Sequence, residues 1–309
     1  MRVAVFDLGS NTTKLLVAEV DGSSVPRVLI EESRACRLTA GGGEEIRFTE
    51  KSIERTLGVL GELMEIAKGH NVQKTSAVAT EAFRRSDNSQ DLISLAKESL
   101  DLHISILSGP EEAGAIAAGL LSDPSISGLD DFHAVDLGGG SMEVIAVKDR
   151  QVTSLESLPL GAAVISNRFC PDSGSPWTEE ACTEAQNYVR SFFSASDASA
   201  LSTSCSTLVG AGGTLVFLRK ILNDEPRMAG KANGVLEHSG SLDLFERISN
   251  MTLRQRQESF PALPPSRADI FPGGLLVLNE VMNYFNRTEI IHSYHNLRHG
   301  IAIELAKED

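Results

Sequence analysis

The chain has 309 residues, 41% of them hydrophobic and 23% charged, with a formal net charge of −14. That acidity excludes the broad basic face of a general nucleic-acid binder, and the length suits two domains better than one core. No apolar run approaches the roughly 18 residues of a membrane span, the N-terminus has no long apolar signal core, and the four cysteines (Cys36, Cys170, Cys182, Cys205) lack CxxC spacing. A cytoplasmic protein with free thiols and no membrane association is expected.

In chain order, strands are predicted over 3–7, 13–20 and 25–37, with Asp21-Gly22 turning between the second and third. Thr49 is a good N-cap for a helix reaching Gly69, along which Ile53, Leu57, Leu60, Leu63 and Ile66 form one apolar stripe. A buried strand over 75–80, a helix over 91–100, a strand over 104–107 and a helix over 110–121 follow. The same order then restarts, with strands over 132–136, 142–148 and 152–158. Thr178, with Glu179 and Glu180 behind it, caps a helix over 178–194. A strand over 207–210 enters a Gly-rich turn, Gly210-Ala211-Gly212-Gly213-Thr214, that opens a helix over 215–222. The polar segment 224–245 reads as a loop. After a break at 262–265 come a helix over 273–285, a strand near 289–293 and a last helix from about Leu297.

The restart is most legible in a near-repeat. Asp7-Leu8-Gly9-Ser10-Asn11-Thr12 and Asp136-Leu137-Gly138-Gly139-Gly140-Ser141 each sit between two short apolar runs. Strand, tight turn, strand is the natural reading of both. Glycine lets backbone amides approach an anion closely, hydroxyls and an amide side chain add donors, and the aspartate is a hard oxygen ligand suited to Mg²⁺. A single such turn would be an ordinary hairpin; two with the same start point to a phosphoanhydride gripped from both sides. The dinucleotide fingerprint does not fit, because a strand follows each turn where that motif needs a helix, and no Walker-type Gly-Lys-Ser/Thr is present.

This duplicated hairpin resembles the actin-like ATPase superfold, and within it the chain resembles the exopolyphosphatase/guanosine pentaphosphatase (Ppx/GppA) family over essentially its whole length. The resemblance is carried by the two turns, by Ala79-Thr80-Glu81-Ala82-Phe83-Arg84, by Ser108-Gly109-Pro110-Glu111-Glu112-Ala113, by Met142-Glu143, by the Gly210–Thr214 turn, by Arg267-Ala268-Asp269 and by Leu297-Arg298-His299-Gly300. It implies an α/β fold of two actin-like (ribonuclease H-like) domains, each a mixed five-stranded sheet flanked by helices, around an interdomain cleft. The expected division is 1–120 with 296–309, and 121–295, in the short form of the family, with hinges near 119–130 and before the last helix.

The activity implied is Mg²⁺- or Mn²⁺-dependent hydrolysis of a terminal phosphoanhydride, of inorganic polyphosphate or alternatively of guanosine pentaphosphate (pppGpp), by a homodimeric hydrolase. The family pattern makes Glu112 the base that activates water and Arg84 the cleft arginine. Ser10, Asn11, Thr12, Gly139, Gly140 and Ser141 would cradle phosphate, while Asp136, Glu143 and Asp7 would hold the metal. Local chemistry agrees on Glu112: Ser108 and Glu111 have capping-box spacing, which gives Glu111 a structural task and leaves Glu112 free to point elsewhere. Of the other basic candidates, Lys14, Arg34, Arg37, Arg85 and Arg298, Arg85 is expected to face solvent and Lys14 falls where relatives vary. His292, His295 and His299 have a spacing that invites zinc, but a strand-to-helix passage need not converge them. A sugar- or acetate-type kinase is the competing enzyme class, disfavoured by the Ser-Gly-x-Glu-Glu motif; a nucleotide sensor would not need Glu112 and Asp136.

Overall fold

The computed structural model describes residues 1–21, 25–38, 47–195, 205–224 and 234–307. The chain forms two compact units, Met1–Ser127 with His295–Asp309, and Gly128–Tyr294.

The first unit is built on a five-stranded sheet in the order β3-β2-β1-β4-β5, formed by Arg2–Leu8 (β1), Thr12–Glu19 (β2), Arg27–Ala35 (β3), Lys74–Ala79 (β4) and Ile104–Ile106 (β5). β1 runs antiparallel to β2 and parallel to β4. Its residues from Val3 to Leu8 are all buried, which a strand shows when both faces of its sheet are covered. Phe6, Leu8, Leu15 and Val17 share one core with Leu60 and Leu63 of helix α1 (Glu50–Gly69) and Leu92 and Ala96 of α3 (Ser89–Leu100). The predicted cap holds: the Thr49 hydroxyl accepts from the Ser52 amide at 3.1 Å. A short helix, α2 (Glu81–Arg85), was not expected; it follows β4 directly, and five residues are too few to show helical periodicity. Helix α4 (Gly109–Leu121) and the closing helix α11 (Leu297–Lys307) pack against each other with backbones nearly touching. A Cβ on Gly119 would fall 2.1 Å from the Asn296 carbonyl oxygen, and one on Gly300 would fall 1.9 Å from that of Ala115. The predicted hairpin turn at Asp21-Gly22 lies partly outside the described residues, since Gly22 is not among them.

The second unit repeats the plan. Phe132–Leu137 (β6), Met142–Lys148 (β7) and Gln151–Leu158 (β8) form an antiparallel meander, and β6 continues in parallel to Leu208–Ala211 (β9). Here the sheet has six strands, β10-β11-β9-β6-β7-β8, rather than the five expected. The extra strand is Val235–Glu237 (β10), antiparallel to Glu289–His292 (β11). It lies in the segment read as a loop, which also contains most of α8 (His238–Ser249). Three residues of strand give little periodic signal, and pairing with β11 decides that element, whereas α8 does space Leu244, Phe245 and Ile248 at helical intervals, a signal the loop reading passed over. Helices α5 (Ala162–Phe169) and α9 (Leu253–Ser259) were likewise unforeseen, whereas α6 (Glu179–Ala195), α7 (Gly213–Asp224) and α10 (Phe271–Tyr284) lie where predicted. Thr178 caps α6, accepting from the Ala181 amide at 3.1 Å. α10 is buried on every side from Phe271 to Met282, including Glu280, which pairs with Arg190 at 2.6 Å. No helix among the described residues is long and apolar enough to cross a membrane.

Candidate active site

In the first unit the β1–β2 turn is closed by the Gly9 amide donating to the Thr12 carbonyl at 3.1 Å. The carbonyls of Ser10 and Asn11 accept from the backbone just after β3, Leu38 to Ser10 at 2.8 Å and Cys36 and Arg37 to Asn11 at 3.0 Å. Ser10 and Thr12 are buried and Asn11 half-buried. Asp7 and Lys14 are register partners across the hairpin, so their side chains leave the same face of the sheet, and they form an ion pair at 3.3 Å.

The same unit presents Glu112. Ser108 and Glu111 form the predicted capping box at the start of α4, with the Glu111 carboxylate accepting from the Ser108 amide at 2.8 Å and from its hydroxyl at 2.7 Å. Those bonds hold the Glu111 carboxyl below its ordinary range. Glu112, one position on, is buried and meets Arg84 at 2.8 Å. Arg84 stands at the end of α2 and also donates to the Leu107 carbonyl at 2.6 Å. Both contacts use Nη1, so Nε and Nη2 can address phosphoryl oxygens. Arg85 is exposed and paired with Glu81 at 2.7 Å.

In the second unit the Gly138 amide donates to the Ser141 carbonyl at 3.0 Å, the same closure as in the first turn. Its carbonyl side is tied to α5: the Ala162 amide donates to Gly138 at 3.0 Å and that of Ala163 to Gly139 at 2.9 Å. Asp136 and Glu143 are register partners, and both are buried. Ser157, opposite Glu143 on β8, donates its hydroxyl to that carboxylate at 2.8 Å. Two buried carboxylates abreast on one sheet face, beside a Gly-rich turn, are a hard-oxygen donor set that fits a divalent cation completed by water and phosphate oxygens.

Other candidates resolve differently. Arg298 is buried, donating to the Leu15 carbonyl at 3.1 Å and pairing with Glu31 at 2.9 Å, which makes it a fold-stabilising contact. Arg34 pairs with Glu32 at 2.6 Å, and Arg37 sits at a left-handed φ of 48°. His292 ends β11 in the second unit, whereas His295 and His299 lie in the first unit with rings stacked at 4.1 Å. His295 shares a 2.8 Å hydrogen bond with Ser122. Burial pushes His295 down, and His299, with His295 and Arg298 also beside it, falls to about 2. Among the described residues no group of three His, Cys, Asp or Glu side chains is placed to hold a metal.

Lys14 and Glu143, both candidates from the sequence, occupy equivalent places in the two repeats. Two residues at this site lie outside the sequence reading. Ser157 and Gly161 become relevant only through β8 and α5, and neither carries a local motif.

The Ppx/GppA phosphatase family model matches residues 16–309, and the chain belongs to that family. It is 28% identical to Exopolyphosphatase 2 of Mycobacterium tuberculosis over 320 aligned positions, covering 99% of this chain and 98% of that one. The fold matches the crystal structure of an exopolyphosphatase from Cytophaga hutchinsonii with a TM-score of 0.88, at 23% identity and 99% and 98% coverage. The Ppx/GppA family member of Aquifex aeolicus matches with a TM-score of 0.77 at 27% identity, covering all of this chain and 99% of that one.

Proposed function

We propose that this protein is an exopolyphosphatase, hydrolysing the terminal phosphoanhydride of inorganic polyphosphate with release of orthophosphate. Full-length similarity to an exopolyphosphatase supports the substrate class, and the observation that carries the chemistry is the Arg84–Glu112 pair, a buried carboxylate and a guanidinium 2.8 Å apart beside a capped helix start. Glu112 takes the proton of the attacking water, whose oxygen bonds to the terminal phosphorus. The bridging P–O bond breaks, and its electron pair leaves with the shortened chain. Arg84 stabilises the charge that spreads over the phosphoryl oxygens, the main demand of phosphoryl transfer. The Ser10–Thr12 and Gly139–Ser141 turns each offer backbone and hydroxyl donors suited to phosphate oxygens.

Asp136 and Glu143 would hold a divalent cation, Mg²⁺ or Mn²⁺, which when bound neutralises phosphoryl charge. Asp7 is the secondary candidate for that role, since Lys14 must release it first. The protein is proposed to act in the cytoplasm as a homodimer. Phosphate release from long polyphosphate, tripolyphosphate and pppGpp, with Mg²⁺ and with Glu112→Gln as control, tests the reading. Release from polyphosphate that vanishes in the variant supports it. Preference for pppGpp moves the substrate to the nucleotide and leaves the site intact; no release from any of the three overturns it.

A further inference from the structure

Two glycines outside the phosphate turn close around the strand end that bears Asp136. Gly161 precedes α5 with φ −66° and ψ 153°, a conformation open to any residue, so its requirement is space. A Cβ there would lie 2.3 Å from the Gly139 carbonyl oxygen and 2.4 Å from the carbonyl carbons of Gly139 and Gly140. All three atoms are backbone and not flexible side-chain ends, and α5 holds the turn that carries them through the Ala162 amide on Gly138 and the Ala163 amide on Gly139. Gly212, in the β9–α7 turn, has φ +98°, which disfavours other residues from the start. Its Cβ would lie 2.4 Å from the Leu137 carbonyl oxygen and 2.6 Å from Oδ1 of Asp136. Gly128, by contrast, would place a Cβ against nothing within 4 Å.

We propose that Gly161 and Gly212 are positioning residues of the site: Gly161 seats the Gly138–Ser141 turn on the first amides of α5, and Gly212 sets the orientation of the Asp136 carboxylate. The inference rests on the proposed reading of that strand end as a cation and phosphate site. The two glycines act on different atoms, so their effects separate. A methyl at position 161 displaces the turn and leaves the carboxylates; one at position 212 displaces a carboxylate oxygen and its own turn. Misplacement by about an ångström at such a site costs up to about 10²-fold in rate, and disturbing the groups that orient a metal ligand costs about 10–100-fold in affinity.

The test uses the full chain, with Mn²⁺ binding followed by electron paramagnetic resonance and phosphate release from polyphosphate measured in parallel. Folding of each variant is checked by circular dichroism and thermal melting. Gly212→Ala is expected to weaken Mn²⁺ binding about tenfold or more, and that penalty should disappear when Asp136→Asn is already present. Gly161→Ala should leave Mn²⁺ affinity within about twofold while raising KM for polyphosphate about tenfold. Gly128→Ala should change neither. Unchanged Mn²⁺ affinity in Gly212→Ala, a penalty that persists in the Asp136→Asn background, or an unchanged KM in Gly161→Ala overturns the corresponding assignment. Wild-type protein that binds no Mn²⁺ overturns the cation reading of the site itself, an outcome distinct from variants that bind as well as wild type. Should either variant fail to fold, hydrogen exchange on the unmodified chain decides: protection of the Ala162 and Ala163 amides must rise when polyphosphate and Mg²⁺ are added, and unchanged protection overturns the coupling of α5 to the turn.

Discussion

The two β-hairpin turns are the same device with opposite electrostatics. Each begins Asp-Leu-Gly, each closes with the glycine amide on a carbonyl three residues later, at 3.1 and 3.0 Å, and each has its carbonyl side tied down by a neighbouring segment. The difference lies one step along the returning strand. The first turn sets Lys14 against Asp7 and neutralises its acid internally; the second sets Glu143 against Asp136 and concentrates negative charge. Backbone shape therefore suits both turns to phosphate, while a single register partner sets their charge; in the proposed reading the cation goes to the second unit, and the base, Glu112, and the guanidinium, Arg84, come from the first.

The largest effect should come from the proposed base, which lies in the first unit. Glu112→Gln is expected to lower kcat by about 10²–10⁴ with KM little changed, measured by steady-state phosphate release. Next, Glu143→Lys would turn the second hairpin into an electrostatic copy of the first. Loss of Mn²⁺ binding and a fall in activity of about 10²–10³ are expected; retained metal binding would break the comparison. The reciprocal change, Lys14→Glu, places a second carboxylate pair on the first hairpin. Equilibrium dialysis should then show an additional, weaker Mn²⁺ equivalent, whereas unchanged stoichiometry would mean that register and charge alone do not make the site.

Acid pH should also divide the units. His299, held at about 2 by burial, stays neutral in the folded first unit while the unfolded chain protonates it near 6.5, and His295 is lowered by the same cause. Their contribution is complete above that value and is lost as pH falls below it. For each residue that stays neutral the loss approaches about 1.4 kcal/mol per pH unit. Chemical denaturation between pH 7 and 5, monitored in wild type and His299→Gln, checks the sign, with the variant expected to be flatter. The smallest effect is assigned to Lys14→Met. Its ion pair with Asp7 is partly exposed, so stability should change by no more than about 1 kcal/mol, in a melt compared with wild type.

Much of the fold was legible because local and global preferences agree. The apolar stripe of α1 with its Thr49 cap, the Ser108–Glu111 capping box and the strands flanking both turns each carry a short-range signal that the tertiary structure keeps. Three of the failures share one cause. β10 is three residues long and exists through pairing with β11, α2 is five residues long, and α5 is stabilised by amide bonds to a turn twenty-odd residues earlier. None of these can be read from periodicity, since their partners are remote in the chain.

At the site the division is similar. The amino-acid sequence by itself determined which residues are chemically able to act in the paired Asp-Leu-Gly turns and at Glu112, left free of capping by Glu111, because glycine turns and capping boxes are local geometry written in consecutive residues; Arg84 stood out only through the family resemblance. Only the tertiary structure decided their partners: that Lys14 neutralises Asp7 while Glu143 stands beside Asp136, that Arg84 meets Glu112, and that Gly161 and Gly212 leave room where a methyl group would collide. Sheet register and close backbone approach are properties of segments brought together from afar, so burial and charge pairing there are settled by packing rather than by any local pattern.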